Sequence, residues 1–294
     1  MSEQKTASAV IPVYNRANTI LRAVYSALEQ TYSILEVIVV DDCSTDNTVE
    51  LVKSIGDSRV RVIRNSVNSG ACKSRNVGIE AAAGDYVALL DSDDEWLPTK
   101  LEKQIAALEV SGADVCTCRF NRSSSECDDA LSRLDGVLPH CPSGVLERRQ
   151  LVEKSLVSTQ TILAKKEVFE NCLFDEQMPR LQDYEWVIRA SERYVFYLVD
   201  DTLVNVYMQD ISITHVNYEK KTHEALERIL CKNAEALKNE PLGLSHLYAW
   251  LGESRVSLGL ESASSFRESL RLHFDPKIAV KYFLAKTGLY THLV

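Results

Sequence analysis

Along the first third of the chain, short apolar runs alternate with segments of helical spacing. Residues 8–13 (SAVIPV) and 35–40 (LEVIVV) are β-branched runs bounded by polar residues, the pattern of buried strands. Between them Ile20, Leu21, Val24 and Leu28 share one helical face, with Asn18 or Thr19 as the cap of a helix reaching about Gln30. Ser44 is placed to cap a second helix that ends at Gly56. Residues 59–64 (RVRVIR) alternate polar and apolar, as an edge or half-exposed strand does. A helix over 71–83 stopped by Gly84, a strand over 85–90 (DYVALL), a helix over 98–110 and a strand over 113–120 complete the series.

Strand and helix alternating through short connections imply an α/β fold, a mainly parallel sheet with helices on both faces. Right-handed crossovers then bring the strand C-termini to one edge, where ligands of such sheets bind. The acidic clusters at 41–42 and 91–94 both follow strands directly. Residues 121–143 are polar and aperiodic, and read as an inserted loop. Helix and strand resume over 146–164, a helix over 180–192 and one or two strands over 194–206. From about Thr222 the pattern is helical throughout. Within it, residues 247–272 have the form of a single tetratricopeptide-type helix pair. One such unit cannot bury its own face, which favours a helical cap over a working repeat domain.

Composition narrows the class. The chain has 294 residues, 45% apolar and 26% charged, ordinary for a soluble globular protein. Its 33 basic residues against 42 acidic ones give a net charge of −9. That balance argues against nucleic acid as a partner, since phosphate neutralisation supplies most of such affinity. No apolar run approaches a bilayer span, and no basic flank with a long apolar run opens the chain, so neither a transmembrane helix nor a secretory signal is expected. The eight cysteines include no C-x-x-C pair, only Cys116-Thr-Cys118, so free thiols in a reducing cytosol are expected rather than a zinc site.

The densest chemistry is Asp91-Ser92-Asp93-Asp94 at a strand end. Three crowded carboxylates repel one another unless they are solvated or bound to a cation. An acidic surface turn is the bland alternative. A site for Mg²⁺ or Mn²⁺ that in turn holds a diphosphate is the functional one. Position at the ligand edge and the second acidic pair, Asp41-Asp42, favour function. After the first strand, Pro12-Val13-Tyr14-Asn15 offers a flat aromatic face for a base, or simply a packed tyrosine. Asp183 by itself is a helix N-terminal acid of the kind the helix dipole favours.

The segments VIPVYNRANTILRAVYSALEQTYSILEVIVVDDCSTDNT and NSGACKSRNVGIEAAAGDYVALLDSDDEWLP resemble the family 2 glycosyltransferases of the GT-A fold, of bacterial surface-glycan type, in order, spacing and residue type over about 8–108. The resemblance continues more thinly in LQDYEW (181–186) and VYMQDISIT (206–214). It implies a GT-A domain over 1–218, with a nucleotide-binding half (1–110) and an acceptor half (111–218), and a helical C-terminal extension over 219–294. It further implies that Tyr14 flanks the base above a loop shaped by Pro12 and Asn15, and that Asp42 accepts a hydrogen bond from a uracil-like ring. Arg75 would brace the acidic site, Asp93 would ligate the metal, and Asp91 would touch ribose or metal. Asp183 would be the catalytic base of an inverting transfer from a nucleotide-sugar. His215 could reach the metal, or stand as an exposed loop histidine. Two departures stand out: Gln182 where the family often has Glu, and Met208-Gln209-Asp210 where it often has Arg then His.

Rival chemistries lack their signatures. A sugar-nucleotide pyrophosphorylase needs a glycine-rich loop where this chain reads PVYNR, and Gly70-Ala-Cys-Lys73-Ser74 lacks the glycines of a P-loop. A non-catalytic nucleotide-sugar-binding module of the same fold remains the alternative; it should lose metal or base carboxylates, and Asp91, Asp93 and Asp183 are all present. The resemblance implies a UDP-sugar donor and a glycan or lipid-linked acceptor of polysaccharide or lipopolysaccharide assembly. Arg267, Arg271, Lys277, Lys281 and Lys286, near Tyr282, Phe283, Leu284 and Tyr290, fit either peripheral contact with the inner face of the cell membrane or a solvated helix face.

Overall fold

The structure is a computed structural model that describes residues 5–124, 142–154, 156–208 and 217–290. The chain forms two compact units: Met1–Glu147, Leu156–Glu176 and Arg193–Asp210 make the first, and Arg148–Ser155, Gln177–Glu192 and Ile211–Val294 the second.

Among the described residues the first unit is built on nine strands: β1 (Ala7–Val13), β2 (Glu36–Asp41), β3 (Val60–Arg64), β4 (Tyr86–Leu89), β5 (Glu95–Trp96), β6 (Val115–Ser124), β7 (Gly144–Leu146), β8 (Leu163–Lys165) and β9 (Phe196–Met208). They form one sheet in the order β3-β2-β1-β4-β8-β6-β9-β5, with β7 beside β9. The β3-β2-β1-β4 half is parallel, so the ends of β1, β2 and β4 lie along one edge. β8 runs antiparallel to both β4 and β6. The unit's helices are α1 (Ile20–Leu28), α2 (Thr48–Ser54), α3 (Ala71–Ala81), α4 (Lys100–Ser111) and α6 (Lys166–Asn171), numbered in chain order.

Strand alternation sorts the two faces. Ala7, Ala9, Ile11 and Val13 of β1 share a core with Ile20, Val24 and Ala27 of α1 and Leu101 and Ile105 of α4. On the opposite face Val10 lies directly beneath Gly78 of α3. Both faces are therefore covered, as the unbroken apolar runs require. Beside this core Lys100 is fully buried, donates to Gln104 Oε1 at 2.7 Å and sits 4.3 Å from the Trp96 ring centroid. Burial pushes its ammonium down to about 8.

Two expectations are corrected. The helix expected from Ser44 begins at Thr48, because the Ser44 amide donates to the Asp41 carboxylate and its hydroxyl accepts from the Asn15 amide. Those bonds hold residues 42–47 as a turn. The polar segment from 121 is not all loop: β6 continues to Ser124 in parallel register with β9, and β7 takes up Gly144–Leu146. Residues 125–141 of the expected insertion, with Cys127 and Cys141, lie outside the described residues. Among the described residues Cys43, Cys116, Cys118 and Cys231 are free thiols.

The second unit is helical: α5 (Arg148–Lys154), α7 (Gln182–Ala190), α8 (Tyr218–Lys232), α9 (Ala234–Leu237), α10 (Pro241–Ser257), α11 (Ala263–Leu272) and α12 (Pro276–Thr287). Val152, Tyr184, Ile188, Leu226, Ile229, Leu247 and Leu251 form its core, so the α10–α11 pair does not stand alone. Gly252 allows the Phe266 ring to approach α10; a Cβ there would meet it at 2.6 Å. Among the described residues no helix is long and apolar enough to cross a membrane.

Candidate active site

The loops after β1 and β2 are clasped together. Asn15 takes a left-handed backbone (φ 51°), its amide donates to Ser44 Oγ at 2.9 Å, and its Oδ1 accepts from the Thr45 amide at 2.8 Å. The Arg16 amide donates to Thr48 Oγ1 and the Ala17 amide to Asp46. Cys43 also has positive φ (67°), a conformation that costs a side chain energy and that these bonds hold in place. Pro12 is buried within β1, and Tyr14, just past the strand, is half-buried. Asn15 thus ties the loop after β1 to the loop after β2.

Asp41 and Asp42 do different work. Asp41 is fully buried and pairs with Arg64 at 3.1 Å. Asp42 accepts from Asn65 Nδ2 (2.8 Å), the Ser69 amide (2.9 Å) and the Gly70 amide (2.7 Å), which closes the turn leading into α3. A carboxylate has about four acceptor positions, so room remains for one further donor.

Arg75, in the second turn of α3, is 3% exposed and donates to Asp91 Oδ1 at 2.7 Å. After β4 the chain turns sharply, the Asp94 amide donating to the Asp91 carbonyl at 3.1 Å. Asp91 and Asp93 keep 29% and 28% of their side chains exposed, whereas Asp94 turns inward and accepts from the Tyr207 amide. Burial, then the neighbouring Asp91 charge, raises Asp93 above the ordinary carboxylate range; burial with Asp91 and Asp93 pushes Asp94 up to about 8. The cluster is short of positive charge even with its arginines.

Two of those arginines escaped the sequence reading. Arg16 Nε lies 3.6 Å from Asp93 Oδ2. Arg22 donates to the Asp93 carbonyl and stacks 3.7 Å over the Tyr207 ring, whose hydroxyl donates to Glu95. The only local signal was a basic residue on either side of the α1 N-terminus. The residues present suit a hard cation: two half-open carboxylates, oxygen donors only, in a cluster that favours added positive charge. Among the described residues no three acid, histidine or cysteine side chains form a closed cage, so phosphate or water oxygens would have to complete such a site. His215 lies outside the described residues.

Asp183 belongs to the second unit. Leu181 (φ 57°) precedes α7, and Asp183 in its first turn accepts from the Tyr184 amide at 2.8 Å. The residues after it anchor the helix. Tyr184 is buried and donates to the Val152 carbonyl; Glu185 is fully buried between Arg189 (2.7 Å) and Lys232 (3.1 Å). Glu185 was also missed, although the i,i+4 Glu–Arg pair was visible in the sequence.

Solved structures share this architecture. The chain aligns over 97% of its length with 80% of S. aureus TarS 1–349 in complex with UDP-GlcNAc, at a TM-score of 0.67 and 19% identity. It aligns over 99% of its length with 87% of the mannosyltransferase PcManGT from Pyrobaculum calidifontis in complex with GDP-Man and Mn²⁺, at 0.65 and 16%. The fold is that of the GT-A glycosyltransferases. The model of glycosyl transferase family 2 matches residues 8–173, and the chain belongs to that family. Among its relatives are the amylovoran biosynthesis glycosyltransferase AmsB of Erwinia amylovora, 32% identical over 68% of this chain and 69% of AmsB. Another is the UDP-Glc:α-D-GlcNAc-diphosphoundecaprenol β-1,3-glucosyltransferase WfaP of Escherichia coli, 45% identical over 35% of this chain and 41% of WfaP. Several of its relatives are named for the biosynthesis of bacterial polysaccharides.

Proposed function

We propose that this chain transfers a sugar, with inversion at the anomeric carbon, from a UDP-sugar to a hydroxyl of a glycan or lipid-linked acceptor. The observation that carries the reading is the acidic edge after β4, where Arg75 holds Asp91 and two half-open carboxylates face a cluster short of positive charge. Within the GT-A domain (1–218), residues 1–110 would take the nucleotide and 111–218 the acceptor, with 219–294 as the helical extension.

Each residue then has a task. Tyr14 offers its ring to the base and the remaining acceptor position of Asp42 takes a base N–H. Arg75 holds Asp91 by its hydrogen bond and orients it toward ribose or metal. Asp93 with Asp91 would hold Mn²⁺ or Mg²⁺, which when bound would stabilise the charge on the departing nucleoside diphosphate. Asp183 removes the proton from the attacking hydroxyl. A single base and a single displacement invert the anomeric centre, and the sugar passes through an oxocarbenium-like state as in glycoside hydrolysis.

The donor names of WfaP and of the TarS complex support UDP over other nucleotides. The WfaP name also supports an acceptor carried on a polyprenyl diphosphate, which would place the chain at the cytoplasmic face of the cell membrane, touching it through the C-terminal helices. Calorimetric titration with UDP, GDP, CDP and dTDP, each with and without Mn²⁺, tests the donor site. We expect UDP to bind in a metal-dependent way that Asp93→Asn abolishes. Binding of no nucleotide under any condition overturns the reading.

A further inference from the structure

Helix α12 is apolar around most of its circumference yet, among the described residues, covered on one side only. Its inner side packs on α11, Lys281 pairs with Glu253 of α10, and Tyr290 stacks on Phe266 with ring centroids 6.0 Å apart. None of its residues is fully buried. Its outer half carries Lys277, Val280, Phe283 and Lys286, all exposed, in a row that winds about 60° around the axis at each step and leaves the lysines at its two rims. Val280 is 59% and Phe283 61% exposed; Phe274 (70%) and Leu289 (49%) bracket the helix. Residues three apart lie side by side on a helix, so two apolar side chains stand between two lysines.

That order suits one kind of partner. Apolar side chains enter the acyl boundary of a bilayer while lysine stems lie along it and place their ammonium groups among the phosphates. The charge agrees: over residues 263–290 five Lys and Arg stand against Glu268 and Asp275, in a chain whose net charge is −9. A second copy fits poorly on area. The four exposed apolar side chains offer on the order of 400 Å², about half of the roughly 800 Å² per partner of a stable protein interface.

We propose that the Lys277–Val280–Phe283–Lys286 face of α12 docks on an anionic lipid bilayer. The inference deepens the proposed reading of a lipid-linked acceptor, and its test does not depend on turnover. The full chain is floated with phosphatidylcholine vesicles, with and without phosphatidylglycerol, at low and high salt. The wild type should float with the anionic vesicles at low salt. Val280→Ser with Phe283→Ser, and separately Lys277→Glu with Lys286→Glu, should each weaken binding by about tenfold or more. All four side chains are exposed, so melting temperature should stay at the wild-type value. Absence of flotation, equal flotation with neutral vesicles, or an undiminished serine variant each overturns the proposal. So does a dimer, blind to vesicles, that the serine variant converts to monomer, since the face then belongs to a second copy. UDP titration of the same samples separates the two readings: vesicle binding without UDP binding refutes only the donor site, and the reverse refutes only the lipid surface.

Discussion

Gly78→Ala sets two known effects against each other. Within a helix, Ala is favoured over Gly by ~1 kcal/mol. Here the added methyl meets Val10 Cγ1 at 2.4 Å and Val40 Cγ2 at 3.0 Å, against about 3.5–4.0 Å for relaxed carbon contacts. Neither partner yields easily. Val10 is fully buried, its χ1 is restricted, and β1 is hydrogen-bonded to β2 on one side and β4 on the other. α3 cannot slide away freely either, because Asn76 both donates to the Phe174 carbonyl (2.9 Å) and accepts from its amide (3.0 Å). Overpacking of this kind costs ~1–3 kcal/mol. With both sides pinned, the upper end applies, and subtracting the propensity gain leaves a loss of about 2 kcal/mol. At ~2–4 °C per kcal/mol for a unit of this size, scanning calorimetry should show Tm lower by about 4–8 °C. Arg75 lies one turn before Gly78, so metal-dependent UDP affinity should fall in the same variant. A Tm equal to or above wild type would mean that α3 or Val10 absorbs the methyl, and would refute the packing argument.

Three further outcomes are expected. Asp183→Asn should lower kcat by ~10²–10⁴-fold while leaving UDP affinity unchanged; loss of UDP affinity with kcat intact would remove Asp183 from the base role. Lys100 is depressed from 10.5 to about 8 by burial, so between those values the unfolded chain binds more protons than the folded one. Stability should therefore rise with pH across that window, the penalty being complete below about 8, and Lys100→Met should flatten the slope in thermal melts. Glu185→Gln should destabilise the chain by about 1–3 kcal/mol, since the buried carboxylate loses its charge while Arg189 and Lys232 keep access to water; an unchanged urea midpoint would show that the two cations do not depend on it.

Much of this was legible before the fold. β1, β2 and β4 are buried on both faces, so each had to be a short apolar run, and α3 carried helical spacing between Gly70 and Gly84. The carboxylates of 91–94 announced themselves because their repulsion is a local property. Errors arose where a side chain had two possible partners. Ser44 has the chemistry of a cap, but the Asn15 amide, brought over by the neighbouring strand, takes its hydroxyl. The polar residues 121–124 carry no strand pattern, and become strand because β9 offers them a parallel partner about eighty residues later.

The order of elements, the two-faced sheet and the placing of Asp42, Asp91 and Asp93 just past strand C-termini follow from the sequence alone, because periodicity and strand ends are read from neighbours in the chain. Which cation meets which carboxylate did not. Arg16 reaches the Asp93 carboxylate, and Arg22 the Asp93 carbonyl across 71 residues. A charged residue in isolation has no preferred partner; the crossovers of the sheet choose one for it.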